Sequence, residues 1–273
     1  MILDGKKLRD NILEEIKSKI SEENLDIKLA IILVGENEAS KIYIKNKEKY
    51  CTLVGIKVEK YLLKEDTKEE DLINLINKLN EDENVTGIIL QSPVPKQIDF
   101  DKCSSLIKAS KDVDGFTKDN VYNLYLNKKS ILPCTVKGII RLLEFYKINL
   151  DGANVVIIGR GNIVGKPLAL ALSNLNATVT LCNSHTRNLK MFTQNADIVV
   201  AATGVPKLVN GSMLKQDAVI IDVGVTRIDN KIIGDVDFDS ASSVASYITP
   251  NPGGVGPMTV AMIIDNLLEM KEN

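Results

Sequence analysis

Tyr43 and Lys47 stand four residues apart in Ser40-Lys41-Ile42-Tyr43-Ile44-Lys45-Asn46-Lys47. On a helix that spacing puts ring and amine on one face, where the ring could stack a flat substrate and the amine could move a proton. A tyrosine at the edge of a core beside solvated lysines explains the spacing too, because helix lysines mostly face water. Gln91 directly follows Val85 to Leu90, an apolar run that reads as a buried strand. Ligands collect at the carboxyl ends of such strands in parallel α/β sheets; a turn amide bonded to neighbouring backbone is the plainer reading. In Asp112-Val113-Asp114-Gly115, one carboxylate suits an Asx-turn and the other is left to accept from a ligand. Spacing does not say which.

A second chemistry lies in Val155-Val156-Ile157-Ile158-Gly159-Arg160-Gly161-Asn162-Ile163-Val164-Gly165. A buried strand, a glycine turn and an apolar helix from Leu168 to Leu175 form the recipe for a phosphate site. Glycines admit close backbone approach, and the helix start offers unpaired N–H groups at the positive end of its dipole. The G-x-G-x-x-x-G spacing is one residue longer than the commonest dinucleotide fingerprint, and a tight turn would also take glycine. The next strand candidate, Ala177 to Cys182, ends in Asn183-Ser184-His185-Thr186-Arg187. It lacks the acidic residue that holds the ribose hydroxyls of NAD. Hydroxyls, an amide and bases, with Arg160 nearby, suit a 2′-phosphate, which favours NADP. His185 and Arg187 are taken equally well, one by one, as incidental members of a polar loop.

These residues need a scaffold of alternating helices and strands. Asp4 is placed to cap a helix with Leu8, Ile12, Ile16 and Ile20 on one face. A strand at Leu29–Gly35 follows, then a helix from Ser40 to about Val54 and a strand from Ile56 to Leu63. Thr67 and Glu70 match a capping box for a helix carrying Leu72, Ile73, Ile76 and Leu79, before the strand at Val85–Leu90. This is a small α/β layer structure with a parallel sheet. The pattern breaks from Lys111 to Thr135, where the inter-domain connection is expected. A helix at Gly138–Tyr146 precedes the glycine turn, and later strands are expected at Ile198–Ala202, Val219–Val223 and Tyr247–Thr249. Pro250 to Pro257 is too rich in proline and glycine for a regular element; a packing loop and a ligand loop explain it equally. A last helix is expected from near Thr259 to Met270.

The chain has 273 residues, room for two modest cores, and a net charge of −2. No basic block favours nucleic acid, no apolar run is long enough for a bilayer, and no leader pattern precedes the first helix. Cys51, Cys103, Cys134 and Cys182 are scattered, with no C-x-x-C pair, and read as reduced, mostly structural thiols of a cytoplasmic protein with no metal site.

Taken together, the segments Ser40–Lys47, Gln91-Ser92-Pro93-Val94-Pro95, Lys111–Gly115, Pro133-Cys134-Thr135, Gly159–Gly165, Ile221–Gly224 and Thr249–Thr259 make the chain similar, over essentially its whole length, to the methylenetetrahydrofolate dehydrogenase/cyclohydrolase family. The resemblance implies a two-domain α/β enzyme. Residues 1–130, with a returning C-terminal helix at 259–273, would form a folate-binding catalytic domain with a mostly parallel sheet. Residues 131–258 would form a Rossmann-like NADP-binding domain. Substrates would be tetrahydrofolate derivatives of one-carbon metabolism, held in the cleft between the domains of each subunit of a homodimer. Methylenetetrahydrofolate would be oxidised with NADP, and the methenyl product hydrolysed to 10-formyltetrahydrofolate.

By the same resemblance, Lys47 would be the catalytic amine, Gln91 its hydrogen-bonding partner, Tyr43 the stacking ring and Asp114 the pterin anchor. Pro252, Gly253 and Gly254 would close over the folate. Gly159, Arg160 and Gly161 would meet the cofactor phosphates, Ser184 the 2′-phosphate, and Val225 would line the nicotinamide pocket. A lysine of ordinary pKa, ~10.4, is a poor base at neutral pH, so a cationic substrate and partial burial must help it. The chain departs from the usual family pattern at Gly161 (usually serine), Ser92 (aliphatic), Val136 (proline), Asn251 (valine) and Tyr122 (glycine). Three other readings compete: a shikimate-type two-domain NADP dehydrogenase, a folate dehydrogenase with weak cyclohydrolase activity, and a ligand-binding regulator that lost turnover.

Overall fold

The computed structural model describes residues 1–229 and 231–272. They divide into two compact units, one of residues 10–134 and 260–273, the other of residues 1–9 and 135–259. Asn273, which the sequence assigns with the last helix, lies outside the described residues.

In the unit of residues 10–134, α1 (Gly5–Glu22) leads to β1 (Lys28–Val34), α2 (Glu38–Val54), β2 (Lys57–Leu63), α3 (Glu69–Glu81) and β3 (Gly87–Leu90). Asp4 Oδ1 accepts from Lys7 N at 3.0 Å, so the first helix begins on the expected cap. The strands make a parallel sheet in the order β2-β1-β3. Ala30, Ile32 and Val34 on one face of β1 pack with Ile88 and Leu90 against Leu72, Ile76 and Leu79 of α3. Each such large apolar side chain contributes ~1.5–3 kcal/mol by leaving water. The chain moves from β1 to one side and then returns to the other, so the strand order reverses at β1. In open parallel sheets the crevice beyond the carboxyl ends at such a reversal is where ligands bind.

Local starts differ from expectation. α2 begins two residues before Ser40, because the Asn37 side chain accepts from Ser40 N and supplies the cap. The Thr67–Glu70 capping box does not form: Lys68 is the cap residue, with no side-chain bond. Thr67 is instead committed to a turn, its N–H on Lys64 O at 3.1 Å. Three acidic residues in the first turn of α3 complement the helix dipole in its place. A short helix, α4 (Phe100–Ser104), follows β3, and within the segment read as irregular a second, α5 (Lys118–Tyr125), forms.

In the other unit, α6 (Cys134–Phe145) precedes β4 (Asn154–Ile158), α7 (Gly165–Asn174), β5 (Thr178–Cys182), α8 (Leu189–Thr193), β6 (Ile198–Ala201) and β7 (Val219–Asp222). Then come a hairpin of β8 (Thr226–Ile228) and β9 (Lys231–Ile233), α9 (Phe238–Ser242), β10 (Tyr247–Ile248) and α10 (Val255–Glu272). The five-stranded sheet is parallel, in the order β10-β7-β6-β4-β5, and reverses at β4. Residues 1–9 belong here: Ile2 bridges Ile248, and Leu3 N donates to Ile248 O at 2.9 Å. The last helix starts four residues before Thr259 and takes in Val255, Gly256 and Pro257. A proline fits there because first-turn N–H groups have no intrahelical partner. Beyond Val260, α10 belongs with the residue 10–134 unit, where a side chain built on Gly87 of β3 would start 2.6 Å from Leu267.

Candidate active site

The carboxyl end of β3 and the exposed face of α2 bring Lys47 and Gln91 together. Ile44, Cys51 and Val54 turn into the core and fix the helix rotation. Ser40, 1 % exposed, donates its hydroxyl to Ser92 O at 3.2 Å and ties the start of α2 to the loop after β3. Gln91 continues the sheet by one more rung, its N–H on Ile32 O at 2.9 Å. Its amide is oriented at both ends: Lys47 Nζ donates to Oε1 at 3.1 Å, and Nε2 donates to Ser92 O at 2.8 Å. An ammonium can only donate, so the amide oxygen must face Lys47. Lys47 is half-buried and so differs from its exposed neighbours Lys45 and Lys49. Tyr43, one turn earlier, is 59 % exposed and leaves much of its ring open to solvent. It is not a core-edge tyrosine.

The two aspartates divide their work. Asp112 is buried and closes the loop: its carboxylate accepts from Gly115 N at 3.0 Å, Thr117 N at 2.7 Å and Asn120 Nδ2 at 3.0 Å. The chain on either side is clamped as well. Asn266 of α10, fully buried, donates to Val113 O at 2.9 Å and Leu132 O at 3.1 Å. Gly115 takes φ +73°, and a side chain there would strike Ile131 O at 2.6 Å. Asp114 keeps part of its surface open and has no loop role of this kind. Burial holds its carboxyl above the ordinary carboxylate range, the Lys47 charge opposes that rise, and Asp112 adds to it. Lys47, Gln91 and Asp114 therefore form one electrostatic group, with a cation, an oriented amide and a carboxyl reluctant to lose its proton. Such perturbed groups mark functional sites more often than chance. Ser40, Asp112, Asn120 and Asn266 support this group. Asp112 stood in the sequence as one of two candidate turn carboxylates; signals for the other three are faint, the best being Asn266, a lone amide inside the apolar run of α10.

At the reversal point of the five-stranded sheet, Gly159 adopts φ +115°, and a side chain there would start 2.2 Å from Ala202 O. On Gly165 a side chain would start 1.9 Å from Gly159 O, so the turn closes only with glycine at both places. α7 then starts with no side-chain cap at Val164; Lys166 N–H closes the turn on Gly161 O at 3.1 Å, and Pro167 needs no partner. Gly161 has open space around it, and Arg160 and Ser184 are exposed. Gly159 N donates to Cys182 O at 2.9 Å, which sets the turn beside the end of β5 where Ser184 lies. These residues fit a dinucleotide phosphate chain: a turn only glycine can line at two places, a helix start behind it and an exposed guanidinium.

Val225, 58 % exposed, follows β7. Pro252 is exposed, whereas Gly253 and Gly254 are buried. Packing accounts for both glycines: Gly253 takes φ +121° and its carbonyl accepts from Gly5 N at 3.1 Å, and a side chain on Gly254 would start 2.6 Å from Thr249. The four cysteines are free and buried, and burial pushes the Cys51 thiol up to about 12. Among the described residues no group of His, Cys, Asp and Glu could hold a metal ion, and no helix is long and apolar enough to cross a membrane.

Comparison with known proteins agrees with this division of chemistry. The profile described as "Tetrahydrofolate dehydrogenase/cyclohydrolase, catalytic domain" matches residues 3–114, and that of the family's NAD(P)-binding domain matches residues 133–273. The bifunctional protein FolD of Agathobacter rectalis is 48 % identical over 98 % of both chains. The crystal structure of the bifunctional dehydrogenase/cyclohydrolase FolD of Campylobacter jejuni superposes with a TM-score of 0.98, at 44 % identity and covering 100 % of this chain and 99 % of that one. A Trypanosoma brucei dehydrogenase-cyclohydrolase, solved with NADP cofactor and inhibitor, gives 0.93 at 34 % identity, covering 100 % and 97 %. A shikimate dehydrogenase of Thermus thermophilus, at 13 % identity and a TM-score of 0.53 over 90 % of this chain and 98 % of its own, shares the fold alone. The chain belongs to the tetrahydrofolate dehydrogenase/cyclohydrolase family, with a catalytic domain followed by an NAD(P)-binding domain.

Proposed function

We propose that the chain oxidises 5,10-methylenetetrahydrofolate with NADP and then hydrolyses the methenyl product, with Lys47 as the amine serving the second step. The observation that carries the assignment of Lys47 is its hydrogen bond to Gln91 beside the Asp114 carboxyl. NADP supplies a hydride acceptor when bound. The chain's own contribution to that step is alignment: Tyr43 stacks on the folate rings, and Asp114 accepts from ring N–H groups of the pterin and fixes its register. In its ionised form Asp114 accepts only, so the neighbouring Lys47 charge, which opposes the rise caused by burial, favours the binding-competent state.

For hydrolysis, water adds to the methenyl carbon and the adduct loses one proton to solvent; the bond from that carbon to N5 then breaks as the hydroxyl becomes the formyl oxygen and its proton passes to N5. Lys47 assists these proton movements while Gln91 holds its ammonium in place; the positive charge of the substrate disfavours a second cation next to it and so favours the neutral amine. Gly159, Arg160 and Gly161 hold the cofactor phosphates, Ser184 the 2′-phosphate, and Val225 lines the nicotinamide side. Pro252, Gly253 and Gly254 lie over the folate. Homodimerisation and a cytoplasmic location belong to this reading, supported by family membership and, for the location, by four free thiols. Sedimentation of the purified protein tests the dimer.

The test is to supply methylenetetrahydrofolate with NADP or NAD and to follow reduced cofactor and then methenyl decay. Appearance and loss of the methenyl compound at enzyme-dependent rates, faster with NADP, are expected. Reduced cofactor without accelerated methenyl decay would leave a dehydrogenase alone.

A further inference from the structure

The reactions above leave unused a polar cluster behind the turn after β7. Asp222 is 5 % exposed and Asp235 fully buried. Asp222 Oδ1 accepts from Gly224 N at 3.2 Å and Asp235 N at 2.9 Å, and Oδ2 accepts from Val236 N at 3.3 Å. Asp235 Oδ2 accepts from Thr203 N at 2.5 Å, Thr203 Oγ1 at 2.8 Å and Gly204 N at 3.0 Å. Its Oδ1 is buried with no partner. A side chain on Gly224 would start 1.9 Å from Asp235 Oδ1, and one on Gly234 would start 1.8 Å from Asp222 Oδ2. Each buried carboxyl group thus has a glycine pressed against it, in place of any side chain.

A third segment reaches in. Asn251 Nδ2 donates to Gly224 O at 2.5 Å and lies beside Asp222 Oδ2, both atoms facing Gly234, while Thr249 Oγ1 accepts from Asp222 N at 2.7 Å. Burial pushes the Asp222 carboxyl up to about 6, with the Asp235 charge adding to the rise; donors on Asp235, Val236 and Asn251 oppose it. The neighbouring lysine, Lys207, whose N–H bonds Gly234 O, directs its ammonium to Asp237 at 3.3 Å instead.

We propose that Asn251 is a positioning residue: through the Asp222–Asp235 pair it clasps the Thr249–Gly254 loop to the turn carrying Val225, and proton uptake by the pair loosens that clasp. The link to the cofactor rests on the reading of Val225 as a wall of the nicotinamide site. A protonated Asp222 presents a donor where Val236 N–H and the Asn251 amide already donate, so one of these bonds must give. Asp235 Oδ1, the buried acceptor lacking a donor, is the partner it gains. The clasp is closed at neutral pH and opens on acidification.

The test labels the aspartate Cγ atoms with 13C and follows their resonances from pH 4 to 8, with Asp222→Asn identifying the Asp222 signal. That signal titrates near pH 6 in the wild type and, after Asn251→Val removes one donor to the charged form, about one pH unit higher. NADP affinity of the apo protein, measured by calorimetry, falls severalfold through the same midpoint and follows the shift in Asn251→Val. A wild-type Asp222 signal that does not titrate between pH 5 and 7 overturns the proposal, even if Asn251→Val fails to fold. So does an unmoved midpoint in a folded Asn251→Val, or NADP affinity indifferent to the titration. A protein that binds no NADP at any pH refutes the cofactor reading, and the clasp is then judged by the carboxyl titration alone.

Discussion

Lys47→Met removes an ammonium while keeping most of its aliphatic volume, and its consequences can be worked out part by part. The variant loses the 3.1 Å bond to Gln91, whose amide keeps its other bond to Ser92 O. Because both partners are only partly buried, the stability cost is ~1 kcal/mol, or a fall in Tm of about 2–4 °C for a protein of this size. The catalytic loss is much larger. A positioned proton-transfer group contributes ~10²- to 10⁴-fold, equal to about 3–5 kcal/mol of transition-state stabilisation. Methenyl hydrolysis, followed by its ultraviolet absorbance, therefore drops by that factor while the circular dichroism spectrum is unchanged. A second consequence follows for Asp114. The Lys47 charge lowers the pKa of that carboxyl, so its loss lets burial and Asp112 raise it further. The ionised form that accepts from the pterin then exists only at higher pH, and the acid limb of folate binding moves upward. Undiminished methenyl hydrolysis by folded Lys47→Met refutes the assignment, and an acid limb that stays in place refutes the coupling to Asp114.

Other perturbations separate the two binding functions. Asp114→Ala raises the KM for folate far more than that for NADP in steady-state kinetics; equal effects count against the pterin anchor. Arg160→Ala weakens NADP more than NAD by direct titration, whereas equal loss of both means that the guanidinium does not read the 2′-phosphate. The glycine turn gives a contrast: Gly159→Ala combines a positive φ with a clash at Ala202 O and abolishes cofactor binding, at a backbone cost of ~1–3 kcal/mol. Gly161→Ser meets open space, keeps the Tm and adds a hydroxyl near the phosphates, so NADP binds as well or better. A reversed order of the two glycine variants contradicts the cradle.

The parallel sheets were legible because buried strands such as Ile31–Val34 and Val155–Ile158 need continuous apolar runs, which few other elements carry. Strand order was not, since which side of β1 receives β2 depends on long-range packing. Tyr43 and Lys47 were legible as a pair sharing a helix face, but whether that face met water or Gln91 depended on Ser40 reaching Ser92 O. Asp112 and Asp114 could not be told apart because the difference lies in Asn120 and Thr117, which only the folded loop brings to Asp112. The Thr67–Glu70 pattern misled because the Thr67 N–H, which Glu70 would have to reach, is already bonded to Lys64 O at 3.1 Å in a turn. The Asp222–Asp235 pair left no local mark, its members being 13 residues apart and joined through backbone amides.

In the proposed reaction hydride passes directly from the folate one-carbon unit to the nicotinamide, and Lys47-dependent hydrolysis follows. Its most direct test uses methylenetetrahydrofolate carrying two deuterons on the bridging carbon, with NADP, in ordinary water. One deuteron is expected in each reduced cofactor and one in the 10-formyl product, with Lys47→Met retaining the first and losing enzymatic formation of the second. Reduced cofactor carrying hydrogen from solvent would contradict it.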